Sequence, residues 1–225
     1  MLDYAMSSLF RGFLFVCLLA ACASTATLYA MAQDRPPVDL NAQQRADLGR
    51  VNTYLNQLGR LSAGFMQIAP DGAVSRGNFF LSRPGRMRFE YAPPDDMLII
   101  ADGTSVAVRE GADAMINRYP IGATPLSPIL EEKVRLGAKN EVAAVKRDTG
   151  LLRVRLRDPK EPEKGEITLI FLDRGGNNLE LRQWVVIDAQ GLTTQIGLSD
   201  IRPAGALDPK LFILLDPAPG SQNRR

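Results

Sequence analysis

The chain contains no histidine. A histidine-based catalytic triad, histidine metal ligands and a histidine-driven pH switch are thereby excluded. Thiols are nearly as scarce: Cys17 and Cys22 are the only two among 225 residues, and both lie in the apolar N-terminal segment. A chain cut after that segment would carry no disulfide, no thiolate ligand and no cysteine nucleophile. Neither sign of charge dominates. With 27 Lys and Arg against 25 Asp and Glu, the formal net charge of +2 is too small to argue for a nucleic-acid partner. No G-x-S-x-G, P-loop or dinucleotide fingerprint is present. Of the carboxylate pairs Asp95-Asp96 and Glu131-Glu132, the first is a poor catalytic dyad. Adjacent side chains on a strand point to opposite faces, and both pairs sit beside loop or helix signals where charge is expected. These absences argue against an enzyme, although Asp, Glu, Ser and Lys chemistry stays open. No cofactor and no metal site are expected.

The chain is 45% hydrophobic and 23% charged, which suits one domain able to bury its own core. Arg11 precedes an uncharged stretch from Gly12 to Gln33 with a dense apolar core at Phe13 to Ala21, the pattern of an export signal. Three processing routes fit it. Ala30-Met31-Ala32 is an A-x-A site that would release a soluble protein starting at Gln33. Leu19-Ala20-Ala21-Cys22 resembles a lipobox, which would leave an acylated Cys22. An uncleaved anchor is the third, since the uncharged run is long enough to span a bilayer. Each route puts the folded part outside the cytoplasm. The expected division is a signal segment over residues 1–32, a single domain over 33–217 and a flexible tail over 218–225.

Asp39 or Asn41 can cap a helix running to Leu58, with Leu40, Leu48, Val51, Leu55 and Leu58 on one side and Gly59 ending it. This stripe would either lie over a cavity as a lid or simply cover a sheet. From Leu61 the period shifts to two. Strands are predicted over 61–69, 73–83, 86–91, 97–101, 105–109, 115–119, 141–148, 151–158, 166–173, 179–188 and 192–201. Asp71-Gly72 and Asp102-Gly103 supply the positive φ of tight hairpins, and Thr149-Gly150 and Gln190-Gly191 look similar. The pattern is an antiparallel meander; strand number alone also allows a sandwich or a lipocalin-like barrel. One stretch interrupts it. Residues 121–139 have helical spacing at Leu126, Ile129, Leu130 and Val134, with Ser127 as cap and Pro128 in the first turn. Asp208-Pro209 can start a short helix carrying Leu211 and Phe212. Arg153, Arg155 and Arg157 form a basic stripe, either a solvated outer face or a docking surface for acidic groups.

The most informative stretch is GNFFLSRPGRMRFEY, Gly77 to Tyr91. Apolar residues alternate on both sides of Arg83-Pro84-Gly85, so the break reads as a bulge or kink within one long strand. Phe79, Leu81, Arg83, Met87, Phe89 and Tyr91 then share one face, an apolar face holding one guanidinium. By residue type alone, Arg83 reads as a surface arginine at a kink and the apolar residues as ordinary core.

This run, together with Phe65-Met66-Gln67, Asp102-Gly103 and Asp208-Pro209-Lys210-Leu211-Phe212, resembles the outer-membrane lipoprotein carrier (LolA) family over about residues 40–217. The resemblance implies a mainly β fold with a helical lid (α+β): an unclosed antiparallel β-barrel covered by N-terminal and mid-chain helices, with an apolar cavity. It implies a periplasmic, monomeric carrier that takes acylated lipoproteins from an inner-membrane transporter and passes them to an outer-membrane acceptor. Arg83 would hydrogen-bond lid carbonyls in the closed, empty form. Phe65, Phe79, Leu81, Met87, Phe89, Tyr91, Leu98 and Ile100 would line the cavity, and Leu126, Ile129 and Leu130 would belong to the lid. Many relatives carry Trp at the position of Phe89 and a large aromatic at that of Met87, so the lining here is expected to differ in shape. The lipobox keeps a different reading open, a membrane-tethered lipid-binding acceptor or envelope-stress sensor of the same fold. A carboxylate-dependent hydrolase on a β scaffold is a third.

Overall fold

The structure is a computed structural model and describes residues 38–111, 115–124, 126–138, 141–158, 160 and 165–214. The expected signal segment over 1–32, both cysteines and the expected tail over 218–225 lie outside the described residues.

Helix α1 spans Ala42–Gln57. Asn41 rather than Asp39 is its cap. The Asn41 side chain accepts from the Gln44 N–H and the Gln44 side chain accepts from the Asn41 N–H, both at 2.9 Å, so two donors with no helical partner are satisfied reciprocally. The helix ends differently from expectation. Leu58 turns extended (φ −71°, ψ 100°) and Gly59 is not a left-handed terminator.

Eleven strands follow among the described residues: β1 Arg60–Ile68, β2 Val74–Ser82, β3 Arg86–Tyr91, β4 Met97–Asp102, β5 Ser105–Glu110, β6 Ile116–Pro120, β7 Glu141–Asp148, β8 Leu151–Arg157, β9 Glu166–Asp173, β10 Leu179–Ile187 and β11 Thr193–Pro203. They make one antiparallel sheet in the order β6-β5-β4-β3-β2-β1-β11-β10-β9-β8-β7. First and last strands pair at the middle, so the two edges, β6 and β7, are neighbours in sequence that do not pair. Inner residues of both halves, such as Phe79 and Leu152, belong to one core cluster. The sheet therefore curls into an unclosed barrel, and residues 121–138 connect its two edges.

Three expectations are corrected. First, the interruption at Arg83-Pro84-Gly85 is a hairpin turn between β2 and β3, not a kink in one strand. Gly77 pairs with Tyr91, Phe79 with Phe89 and Leu81 with Met87; the Arg83–Pro84 peptide is cis and Gly85 has φ 73°. Opposed residues of an antiparallel pair point to the same side, so the shared face survives although the path of the chain does not. Second, the described residues within 121–139 do not form a long helix. They make a 3-10 turn at Ile121–Ala123 and a one-turn helix α2, Ser127–Leu130, whose cap position is Leu126 and has no side-chain cap. Third, Leu98 and Ile100 face away from the barrel interior. All of Met97 to Ala101 is buried, because β4 is covered on both faces. Met97, Ile99 and Ala101 join the main core, whereas Leu98 and Ile100 pack with Phe212 of the C-terminal 3-10 turn, Pro209–Phe212.

Polar bonds hold α1 to the β7–β10 half. Asp47, 2% exposed, accepts from Arg147 and from Arg50. Arg50 also donates to Asp173 at 2.6 and 3.0 Å. Gln44 donates to the Val145 carbonyl, and the Tyr54 hydroxyl accepts from the Leu181 N–H, each at 3.0 Å. The hydrogen bonds from Arg50, helped by the Gly175 N–H and the charge of Arg147, hold the Asp173 carboxyl down at about 2 against an ordinary 3.8, although its burial acts in the opposite direction. The unfolded chain binds the extra proton in that window, so this contribution to stability is complete above about pH 4 and lost as pH falls toward 2. Chemical denaturation between pH 5 and 2 is expected to show that loss in the wild type, and a flatter profile in Asp173→Asn.

Candidate functional site

The concave face of the sheet is mainly apolar, interrupted by the buried polar side chains Gln67 and Thr194. Phe65, Phe79, Leu81, Met87, Phe89 and Tyr91 are each 3–5% exposed and lie together. Phe79 packs on Phe89 with ring centroids 4.6 Å apart, and Phe65 meets Phe89 at 5.1 Å and Tyr91 at 4.9 Å, both edge-on. The Tyr91 hydroxyl donates to the buried Gln67 side chain at 2.7 Å, and burial raises the phenol above its ordinary value. The strand pattern did not single out Trp184, which is 2% exposed and contacts Phe79 and Phe89 at 5.8 and 6.1 Å.

The interior is closed. A small void of about 20 Å³ lies between the sheet and the elements above it, space for little more than one water. On the sheet side Phe79, Leu81, Met87 and Trp184 border it; on the other side are Leu55 and Leu58 of α1 with Leu126, Ile129 and Leu130 around α2. Phe65, Phe89 and Tyr91 do not border it. Leu98 and Ile100 lie on the opposite face of the sheet.

Arg83 stands at the rim, at the tip of the β2–β3 hairpin. Its guanidinium donates to the Glu131 carbonyl, just past α2, and to the Leu58 carbonyl at the end of α1, the latter at 3.4 Å. Its Nε is buried with no partner. Burial pulls the guanidinium below its ordinary value, while leaving it cationic over any physiological range. Main-chain bonds run alongside: the Arg83 N–H donates to Gly59 and the Gly85 N–H to Leu130, each at 2.9 Å. One cationic side chain thus ties the hairpin to both covering elements.

Those two elements are also tied to each other. Asn52 and Asn56, one turn apart on α1, face the segment after α2. Asn56 donates to the Val134 carbonyl and accepts from the Val134 N–H, both at 2.9 Å. Asn52 accepts from the Leu136 N–H at 2.9 Å and donates to its carbonyl at 3.4 Å. The side-chain amides act as rungs of a short ladder, so the cover behaves as one piece. Asn56→Ala is expected to cost about 1–2 kcal/mol locally and to raise hydrogen exchange at the Val134 and Leu136 amides roughly tenfold; unchanged exchange would mean that the rungs bear no strain.

Among the described residues no helix is long and apolar enough to cross a membrane. The profile of the family described as outer membrane lipoprotein carrier protein LolA matches residues 56–214. A protein named outer-membrane lipoprotein carrier protein from Methylococcus capsulatus is 27% identical over 178 residues, covering 75% of this chain and 83% of that one. One of the same name from Methylibium petroleiphilum is 29% identical over 157 residues, covering 67% and 74%. A solved structure of a LolA superfamily protein from Nitrosomonas europaea aligns with a TM-score of 0.42 at 10% identity, over 78% of this chain and 99% of that one.

Proposed function

Because the chain belongs to the outer-membrane lipoprotein carrier family, whose members are carriers and not enzymes, we propose that it shields the acyl chains of lipoproteins in the periplasm. It would receive them from an inner-membrane transporter and hand them to an outer-membrane acceptor, acting as a monomer after cleavage of its signal. The observation that carries this reading is Arg83, which bridges Leu58 and Glu131 over an interior lined by apolar side chains.

The bridge answers a physical problem. An acyl chain of about fifteen methylenes gains roughly 12 kcal/mol on leaving water, at ~0.8 kcal/mol per CH₂. A purely apolar pocket would hold such a chain too firmly to release it. Hydrogen bonds from a charged donor are worth about 1.5–3 kcal/mol each, and those of Arg83 exist only with the lid shut. They lower the free energy of the empty state and so offset part of the affinity for the chain. The collapsed interior acts the same way, since the lid leucines satisfy the apolar wall when no cargo is present. Polypeptide following the acylated residue would lie outside, where an open cleft of about 590 Å³ borders Gly85, Gly103, Ile121 and Glu131.

Purification of the protein from its own periplasm with intact-mass analysis tests the reading. A mature mass beginning at Gln33 and saturable binding of triacylated lipoprotein are the expected results; no binding to acylated lipoprotein or to acyl-chain probes overturns it. The lipobox at Cys22 supports a second reading, a tethered acceptor or sensor of the same fold. Palmitate incorporation abolished by Cys22→Ser would establish the tether, and a mature N-terminus at Gln33 would eliminate it.

A further inference from the structure

We propose that Trp184, seated against Phe79, is the floor of the acyl-binding space and sets how long a chain the site can bury. The inference rests on the carrier reading and adds a specificity determinant to it.

Its aim into the barrel is built in by an irregularity. Leu181 and Trp184 are three residues apart on β10, which in a regular strand puts them on opposite faces. Pairing with β9 shifts register between Leu181 and Gln183, leaving Arg182 as the extra residue. The bulge turns both Leu181 and Trp184 inward. It is anchored from above, since the Leu181 N–H donates to the Tyr54 hydroxyl of α1.

On the sheet side of the void Phe79 and Trp184 are the two ring-bearing side chains, beside Leu61, Leu81, Met87, Leu181 and Leu198. Behind that pair the rings continue without a gap: Phe89 against both, Phe65 against Phe89, Tyr91 against Phe65. This column cannot retreat. Its far end is fixed by the Tyr91–Gln67 hydrogen bond, and the Phe65 ring occupies the space that a Cβ on Gly77 would need, 2.7 Å from that position. Sideways spread is blocked as well. Leu152, Val154, Leu169 and Phe171, on the inner face of β8 and β9, are 0% exposed, on the side of the sheet that the ion pairs of Asp47, Arg50 and Asp173 join to α1. The lid is the softer boundary, a single helical turn and an irregular segment. A chain that enters displaces Leu126, Ile129 and Leu130 and ends on the indole.

The test is a length series of saturated fatty acids, octanoate to stearate, scored by displacement of anilinonaphthalene sulfonate from mature protein. Wild-type affinity should rise about fourfold for each methylene that finds room and then level off. In Trp184→Ala the plateau should move to longer chains by two methylenes or more, with Trp184→Phe between. Phe171→Leu, which removes ring volume on the packed side, should keep the wild-type plateau. Circular dichroism and melting show which variants fold, and Trp184→Phe carries the test if the alanine variant does not. Plateaus at the wild-type length in folded Trp184 variants overturn the floor while leaving the carrier intact. Binding of no chain by wild type and variants alike overturns the carrier reading itself.

Discussion

Arg83→Leu is expected to load acylated cargo normally and to pass it to an acceptor at least about tenfold more slowly than wild type. The substitution removes two charge-assisted donors from the closed state, to Leu58 and Glu131. Even one such bond, at about 1.5 kcal/mol, shifts a two-state balance about tenfold. On the carrier reading the open, loaded state makes neither bond, so the whole loss falls on the empty one. Apparent affinity for the chain rises by the same factor, because less free energy is spent in opening the lid. Leucine also adds apolar surface at the rim, which acts in the same direction. The fold should survive, since the main-chain bonds of Arg83 to Gly59 and of Gly85 to Leu130 do not involve the side chain. Arg83→Lys should fall between, because an ammonium is a point donor and cannot fork between two carbonyls as a guanidinium does. The measurement is the rate of cargo transfer to an acceptor, with circular dichroism as the control for folding. Transfer by Arg83→Leu at the wild-type rate would sink the latch and, with it, the main support for a carrier that works without an energy source.

Much of this architecture was legible because alternation and turn chemistry are local. Asp71-Gly72, Asp102-Gly103, Thr149-Gly150 and Gln190-Gly191 all sit at hairpin turns, each glycine with positive φ. Where alternation carries no information, the reading failed. It cannot tell a hairpin from a kinked strand when parity is conserved across Arg83-Pro84-Gly85. It cannot assign a face in β4, where five buried residues run together and Leu98 and Ile100 turn outward. A bulge defeats it altogether, which is how Trp184 escaped notice. Helical spacing over residues 121–139 was present, but among the described residues the α-helix there is the single turn Ser127–Leu130, and buried Leu126, Ile129 and Leu130 keep their apolar role around it. The apolar stripe of α1 said nothing of its charged and amide residues. The long-range partners lie 78 residues away for Asn56, 84 for Asn52, 100 for Asp47 and 123 for Arg50, and nothing local announces them.

Gly77 opens the stretch that carries the family resemblance, and Gly77→Ala should be among the most destabilising single changes in the chain. The cause is space and not backbone angle, because Gly77 is absent from the positions with positive φ. A Cβ there would lie 2.0 Å from the Glu90 carbonyl oxygen and 2.7 Å from the Phe65 ring. The first contact is with backbone, so relief requires β2 and β3 to separate where Gly77 pairs with Tyr91. The second drives Phe65 into Phe89 and Tyr91, whose rings already touch it. Overpacking of this kind costs more than the usual 1–3 kcal/mol, about 3–5 kcal/mol here. For a domain of this size that lowers the melting temperature by roughly 6–20 °C. Gly197→Ala is the control: it lies on β11, two strands away in the same sheet, and a Cβ there meets nothing within 4 Å. It should be neutral or stabilising by up to about 1 kcal/mol, since the unfolded chain loses freedom. If both variants melt like wild type, the ring column has slack, and the same result would weaken the case that Phe79 and Trp184 form a floor. If Gly77→Ala alone collapses, the glycine is there to let an aromatic ring sit against the bare backbone of β2, and the column of rings above it is as rigid as the chain-length limit requires.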